Sequence, residues 1–319
     1  MARRLTLVFV ALLACLGVAF ALGPRVPVDT AVRAPTLPED LDAYLVASEA
    51  ALPDLTPGTE KTIVWAHPDR HDKTPLSLVY LHGFSATRQE IAPVCDRVAT
   101  QLEANLYYAR LTGHGRPGEA MGDATVHDWL QDSEEALAIG QRLGERVVLI
   151  GTSTGGTLAT WLASRTPDLA SLVLISPNFG VADPAASLLT LPWGGALAEL
   201  VTGPSFEWTP ANPQQGLYWT VRYPTRALLP MAALVKLVDG IDLSHVEVPT
   251  LVMYSPADTV VSPARTEARF AELGSYKKER VAVEAIEGQS SHVIAGDIVA
   301  PGRTDLAIRK IVAFVRGSL

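Results

Sequence analysis

The chain of 319 residues holds only two cysteines, Cys15 and Cys95, and neither belongs to a CxxC pair. Cys15 lies in the apolar N-terminus, so the globular part keeps one thiol and is expected to form no internal disulfide. A CxxC metal or redox site is excluded with it. Cys95, within IAPVCDRVA, reads as a buried structural thiol in a helix. Long runs of like charge, low-complexity tracts and fixed-period repeats are also absent. There is no basic excess either: 26 Lys and Arg against 34 Asp and Glu leave a net charge of −8. That balance argues against nucleic acid as the main partner. With 48% hydrophobic and 19% charged residues, global disorder is excluded and the length suits one large α/β domain or two average ones.

What is present begins at the N-terminus. Arg3 and Arg4 precede an uncharged stretch from Leu5 to Leu22, and Ala19-Phe20-Ala21 has the small-x-small form of a signal-peptidase site. The stretch is long for a signal peptide and just short of a comfortable membrane span. Leu-Leu-Ala-Cys15 loosely follows a lipoprotein box, although Leu13 and the apolar tail fit it poorly. Cleaved signal, membrane anchor and lipidation at Cys15 therefore all stay open for residues 1–22. Each of them exports the rest of the chain to an extracytoplasmic, for instance periplasmic, location, because the paired arginines favour a cytoplasmic N-terminus. The competing reading is a buried helix of a cytoplasmic protein, which the lack of an amphipathic pattern disfavours.

Residues 23–60 are rich in proline and read as a spacer with one short helix around Glu39 to Ala51. From residue 61 onward, β-rich runs alternate with helical patterns. Strands are expected at 62–67, 76–83, 105–111, 146–151, 171–176, 250–255 and 280–286. Several are continuous apolar runs, as in strands buried on both faces of a mainly parallel sheet. Helices are expected over Gln89–Leu102, Val126–Leu143, Gly156–Arg165, Pro263–Leu273 and Asp305–Val315, the second opened by Thr125 and Asp128 as a capping pair. About 70 residues separate the strands at 171–176 and 250–255, far more than a crossover needs. That insert carries Trp193, Trp208 and Trp219 with Phe179, Phe206, Tyr218 and Tyr223. It reads as a cap of several helices over the C-terminal edge of the sheet, with extra core as the alternative.

Gly151-Thr152-Ser153-Thr154-Gly155 follows a strand and opens a helical pattern, as a nucleophile elbow does. A serine hydroxyl is a weak nucleophile at neutral pH and needs a base, which in turn needs an orienting carboxylate. Along the chain the order is serine, acid, histidine. Of the histidines at 67, 71, 82, 114, 127, 245 and 292, only His292 follows an acid at the tip of the penultimate strand. Asp258, in YSPADTVVSP, has that position, with Glu284 and Glu287 as runners-up. Oxyanion donors are expected from the backbone N–H of Thr154 and, in VYLHGFSAT, from that of Phe84. His82 reads as a brace for that loop.

LHGFSAT, LTGHG, GTSTGG, the PAD stretch and the SSH stretch, in this order, resemble the α/β-hydrolase superfamily, especially its carboxylesterase and monoacylglycerol-lipase branch. The resemblance covers roughly Lys61 to Leu319. It implies a mainly parallel sheet flanked by helices, with a helical cap (about 178–245) inserted between the sixth and seventh core strands. It further implies Ser153, Asp258 and His292 as a catalytic triad, Phe84 and Thr154 as oxyanion-hole donors, and hydrolysis of carboxylic esters with an apolar acyl chain. No cofactor or metal is required. Thr152 departs from the bulkier residue many members carry there, which bears on pocket shape. Expected partners are a small-molecule ester or lipid and, through the N-terminal segment, a membrane. A peptidase or acyltransferase with the same triad is the rival enzyme, and a non-catalytic binding protein of the same fold is the rival of another class.

Three further patterns have plainer explanations. Gly113-His114-Gly115-Arg116-Pro117-Gly118 matches a dinucleotide fingerprint, yet Pro117 interrupts it and no first βαβ unit surrounds it. The HPDRHD stretch (67–72) sits in a short connection where polar turn residues are expected. Asp128 and Asp132 read as helix capping and surface charge.

Overall fold

The seven expected strands all form within one sheet. The computed structural model describes residues 2–319. Its strands are β1 (Thr62–Val64), β2 (Thr74–Leu81), β3 (Asn105–Tyr108), β4 (Gly144–Thr152), β5 (Ser171–Ile175), β6 (Ser205–Glu207), β7 (Arg222–Pro224), β8 (Thr250–Tyr254) and β9 (Lys278–Ala282). The sheet runs β1-β3-β2-β4-β5-β8-β9, with β6 and β7 forming a separate hairpin. Only the edge strand β1 is antiparallel, Ile63 facing Tyr107; every other pair in the sheet is parallel. Successive side chains alternate between two core layers. Val79, Leu81, Leu149 and Leu174 enter one, and Leu78, Tyr80, Ile150 and Ile175 the other.

Helices cover both faces, which is why the strands read as unbroken apolar runs. In chain order they are α1 (Ala2–Ala21), α2 (Leu41–Ala50), α3 (Val94–Leu102), α4 (Val126–Leu143), α5 (Thr154–Ala163), α6 (Gly194–Thr202), α7 (Pro213–Tyr218), α8 (Leu228–Asp239), α9 (Pro263–Glu272) and α10 (Thr304–Ser318). On one face α4 packs Trp129 and Leu130 and α5 packs Leu158 and Leu162; on the other α3 packs Val98 and α10 packs Ile311 and Val315. Each such side chain contributes about 1.5–3 kcal/mol of burial.

Several element ends differ from expectation for local reasons. α3 starts at Val94 rather than Gln89, because Pro93 cannot continue a helix, and Arg88–Glu90 make a separate 3-10 turn. α4 opens on the expected capping box between Thr125 and Asp128. Asp132, however, is not surface charge: its carboxylate accepts the Thr112 N–H at 2.6 Å and the Thr112 hydroxyl at 3.1 Å, pinning the loop after β3. Helix α2 seats Leu41 and Leu45 in the main core, and at its end Glu49 forms a buried ion pair with Arg110. Cys95 is buried as expected. In the HPDRHD stretch, His71 stacks on Trp65 at 4.4 Å and pairs with Asp42.

The place of the insert needs one correction. Among the described residues it follows the fifth strand of a seven-stranded sheet, not the sixth, since a single antiparallel strand precedes the parallel set. It contains α6, α7 and α8, as helices were expected there, and also the β6–β7 hairpin, which was not expected. Tyr223 packs edge-on against Phe84 with centroids 5.3 Å apart. The Thr220 N–H donates to Ser85 O at 2.7 Å, and Asn212 Nδ2 donates to Ile298 O at 2.8 Å. The insert thus touches both the loop after β2 and the loop that follows His292. Trp219 and Tyr223 are buried, whereas Trp193 lies partly exposed.

Candidate active site

The turn from β4 into α5 has the strain that its sequence implies. Ser153 sits at φ 52°, ψ −118°, a backbone region that residues with a Cβ rarely adopt. Two hydrogen bonds hold it there: its N–H donates to Ile175 O at 3.0 Å, and its carbonyl accepts the Asn178 N–H at 3.0 Å. The flanking glycines are required by contact. A Cβ on Gly155 would run into the carbonyl of Leu81, and one on Gly151 into the backbone of Gly155.

The loop after β9 delivers His292 to this serine. His292 Nε2 lies 3.0 Å from Ser153 Oγ, and its Nδ1 lies 2.8 Å from Asp258 Oδ2. The other carboxylate oxygen of Asp258 accepts the N–H groups of Val260 at 2.8 Å and Val261 at 3.1 Å. Both oxygens are thereby fixed, and the carboxylate is almost wholly removed from water. Glu284 and Glu287 are exposed and do not reach the histidine. Ser290 was not singled out by sequence. Its hydroxyl accepts the N–H groups of His292 and Val293, while Arg303 Nη1 donates to its carbonyl, so it sets the shape of the histidine loop. A serine two residues before a histidine is the signal that an ST-type turn leaves.

Opposite the elbow, β2 ends in His82-Gly83-Phe84-Ser85. His82 braces this loop: its Nδ1 bonds Gly83 O at 2.9 Å, and its Nε2 accepts the Leu111 N–H at 3.0 Å. Those bonds make Nδ1 the protonated nitrogen of a neutral ring, and burial, then the neighbouring His114, hold its pKa well below the usual histidine value. Burial likewise lowers His114 to about 4. The Phe84 ring wedges edge-on between Trp129 and Tyr223. The backbone N–H groups of Phe84 and Thr154 donate to no other protein group among the described residues. The glycines of the GHG segment serve backbone geometry, with φ of 84° at Gly113 and 70° at Gly115.

Residues 73–287 match the family described as serine aminopeptidase, S33 (Hydrolase_4). The chain belongs to this family of α/β-hydrolases. It is 27% identical over 236 residues to the thermostable monoacylglycerol lipase of Bacillus sp. (strain H-257), covering 74% of this chain and 90% of that protein. Among solved structures it resembles one from work on LipS and LipT, two metagenome-derived lipolytic enzymes. There the TM-score is 0.66 at 21% identity, over 82% of this chain and 99% of the other. The monoacylglycerol lipase of Paleococcus ferrophilus gives a TM-score of 0.60 at 17% identity, over 82% of this chain and all of that one. These likenesses are to the α/β-hydrolase fold, and the lipase and esterase branch of the superfamily supplies them.

Proposed function

We propose that this α/β-hydrolase cleaves carboxylic esters through Ser153, His292 and Asp258, with a monoacylglycerol-like substrate carrying an apolar acyl chain. The supporting observation is the unbroken line of polar contacts from Asp258 through His292 to Ser153, at 2.8 Å and 3.0 Å. In this reading His292 takes the serine proton as Oγ attacks the acyl carbonyl, and Asp258 orients and stabilises the imidazolium that forms. The oxyanion is met by the N–H groups of Phe84 and Thr154. The imidazolium returns its proton to the leaving alcohol, and an acyl ester on Ser153 remains. Water activated by His292 then releases the acid. Likeness to monoacylglycerol lipases supports the substrate class.

The family description also names an aminopeptidase, so a peptide substrate is the second reading. The two are separated by turnover of an ester series from acetyl to palmitoyl against aminoacyl p-nitroanilides. Ester turnover with fluorophosphonate labelling that Ser153→Ala abolishes supports the proposal, and turnover of the anilides alone refutes it.

In the same reading, residues 1–22 are a signal peptide or membrane anchor, residues 23–60 link it to the catalytic unit and pack α2 onto that unit's core, and residues 61–319 form the rest of the unit with its cap at about 178–245. Helix α1 contains an 18-residue stretch, Arg4–Ala21, that is long and apolar enough to cross a membrane. Trp193 Nε1 of the insert donates to Ala19 O at 3.0 Å, so the end of this helix lies against the insert. That supports an exported enzyme working at a membrane surface, a location tested by fractionation of cells expressing the full chain.

A further inference from the structure

Glu90 is a fully buried carboxyl with no ion pair among the described residues. The other buried acids all have a cation or histidine: Glu49 pairs with Arg110, Glu135 with Lys61, Asp258 with His292. Glu90 instead receives two hydrogen bonds on one oxygen. Its Oε1 accepts the Gly83 N–H at 2.5 Å and the Tyr80 hydroxyl at 2.8 Å. Tyr80 Oη in turn lies 2.9 Å from Thr152 Oγ1.

The chain of contacts therefore joins two backbone segments that the sequence keeps far apart. Gly83 is the residue before Phe84, and Thr152 is the residue before Ser153 and two before Thr154. The peptide of Gly83 is also packed between the acid and the nucleophile: a Cβ on Gly83 would lie 3.0 Å from Glu90 Oε2 and 3.2 Å from Ser153 Cβ. No van der Waals slack separates these layers.

We propose that Glu90 is a positioning residue for ester cleavage, holding the Gly83–Phe84 peptide against the Ser153 turn so that the two oxyanion-binding amides keep a fixed spacing. The inference rests on the proposed esterase reading. Its physical basis is that oxyanion stabilisation depends on donors already in place at the position of the developing charge. A carboxylate with its charge there would oppose that negative charge. Burial pushes Glu90 up to about 8, so at neutral pH the group is mostly protonated and uncharged. The titratable groups facing it are Tyr80 from β2 and Cys95 from α3, both raised by burial and neutral as well. The carboxyl can therefore serve as an acceptor without placing a charge behind the amides.

The test uses full-length protein in mild detergent and a soluble short-chain p-nitrophenyl ester. Glu90→Ala should lower kcat by roughly 10- to 100-fold with KM changed less than about twofold. Affinity for a trifluoromethyl ketone, which forms a tetrahedral oxyanion on Ser153, should fall by the same factor as kcat. Glu90→Gln, whose amide oxygen accepts both bonds, should recover kcat to within about threefold of wild type. If Glu90→Ala does not fold, Tyr80→Phe, which removes one link of the chain, should still lower kcat several-fold with KM held. A wild-type kcat in Glu90→Ala or Tyr80→Phe, or an equal loss in Glu90→Gln and Glu90→Ala, would overturn the inference while leaving the esterase reading intact. Wild-type protein inert toward both esters and fluorophosphonate would overturn the esterase reading, and the inference with it.

Discussion

Arg110 and Glu49 meet in a two-point ion pair inside the protein, Nε on Oε2 and Nη2 on Oε1, each at 2.8 Å. One partner belongs to the loop after β3 and the other to the segment that precedes the sheet. Burial alone would raise the Glu49 pKa, but the bonds and charge of Arg110, helped by Lys61, outweigh it and hold the carboxyl below its usual range. Glu49→Ala should therefore destabilise the protein by about 3–5 kcal/mol, because it strands a buried guanidinium. Replacing both residues by leucine and methionine should cost much less. Removing residues 1–60 should be at least as costly as Glu49→Ala, since Leu41 and Leu45 are lost from the core as well. Chemical unfolding of the three proteins checks the order.

The acid of the proposed triad can be identified kinetically. Asp258→Asn should keep the fold yet lower kcat by about 10⁴-fold, because the amide cannot hold the reactive tautomer of His292. Glu284→Gln and Glu287→Gln should stay within about twofold of wild type, as exposed side chains do. A large loss in either of the latter would move the role away from Asp258.

Glu90 also makes stability depend on pH in a predictable sense. Its folded value, about 8, lies above the ordinary carboxyl value of 4.5, so between these the folded state binds the proton more tightly. The stability linked to this proton is complete below pH 4.5 and is lost as pH rises toward 8, at about 1.4 kcal/mol for each pH unit crossed. Glu90→Gln removes the linkage. Its stability relative to wild type should increase steadily from pH 5 to pH 8, as read by urea unfolding at each pH.

The elbow glycines should differ sharply from a glycine in open surroundings. Gly155→Ala drives a methyl group into the carbonyl of Leu81, where backbone must move, and should cost about 3 kcal/mol or more. At Gly240 the backbone is right-handed, at φ −80°, and an added Cβ meets its nearest neighbour at 3.4 Å. Gly240→Ala should change the unfolding free energy little, by about 0.5 kcal/mol. Comparable losses at both sites would refute the steric explanation.

Much of the architecture is readable from periodicity. The strand at 171–176 and the helix at 126–143 form almost as spaced, because an apolar run buried on both faces has few other fates. The boundaries that moved did so where one residue overrides the pattern, as Pro93 does in α3. Asp132 is less legible. Its helix position looks solvent-facing, and only the approach of Thr112 from a distant loop gives it a partner. The same holds for the N-terminal segment: its prolines suggest a free spacer, yet Leu41, Leu45 and Glu49 anchor it.

The site divides along the same line. The serine between two glycines, the later aspartate and the last histidine are all set out along the chain, because strand, tight turn and loop each need particular residues in a particular order. The acid is narrowed by sequence to Asp258, Glu284 or Glu287; which of them meets His292 is decided by the packing of β8 beside β9. Glu90 leaves no trace in any motif. Its place behind Gly83, and its link through Tyr80 to Thr152, arise only when β2 and β4 lie side by side. Local composition determines which backbone each segment adopts, whereas partners in a hydrogen-bond network are a property of segments brought together across the fold.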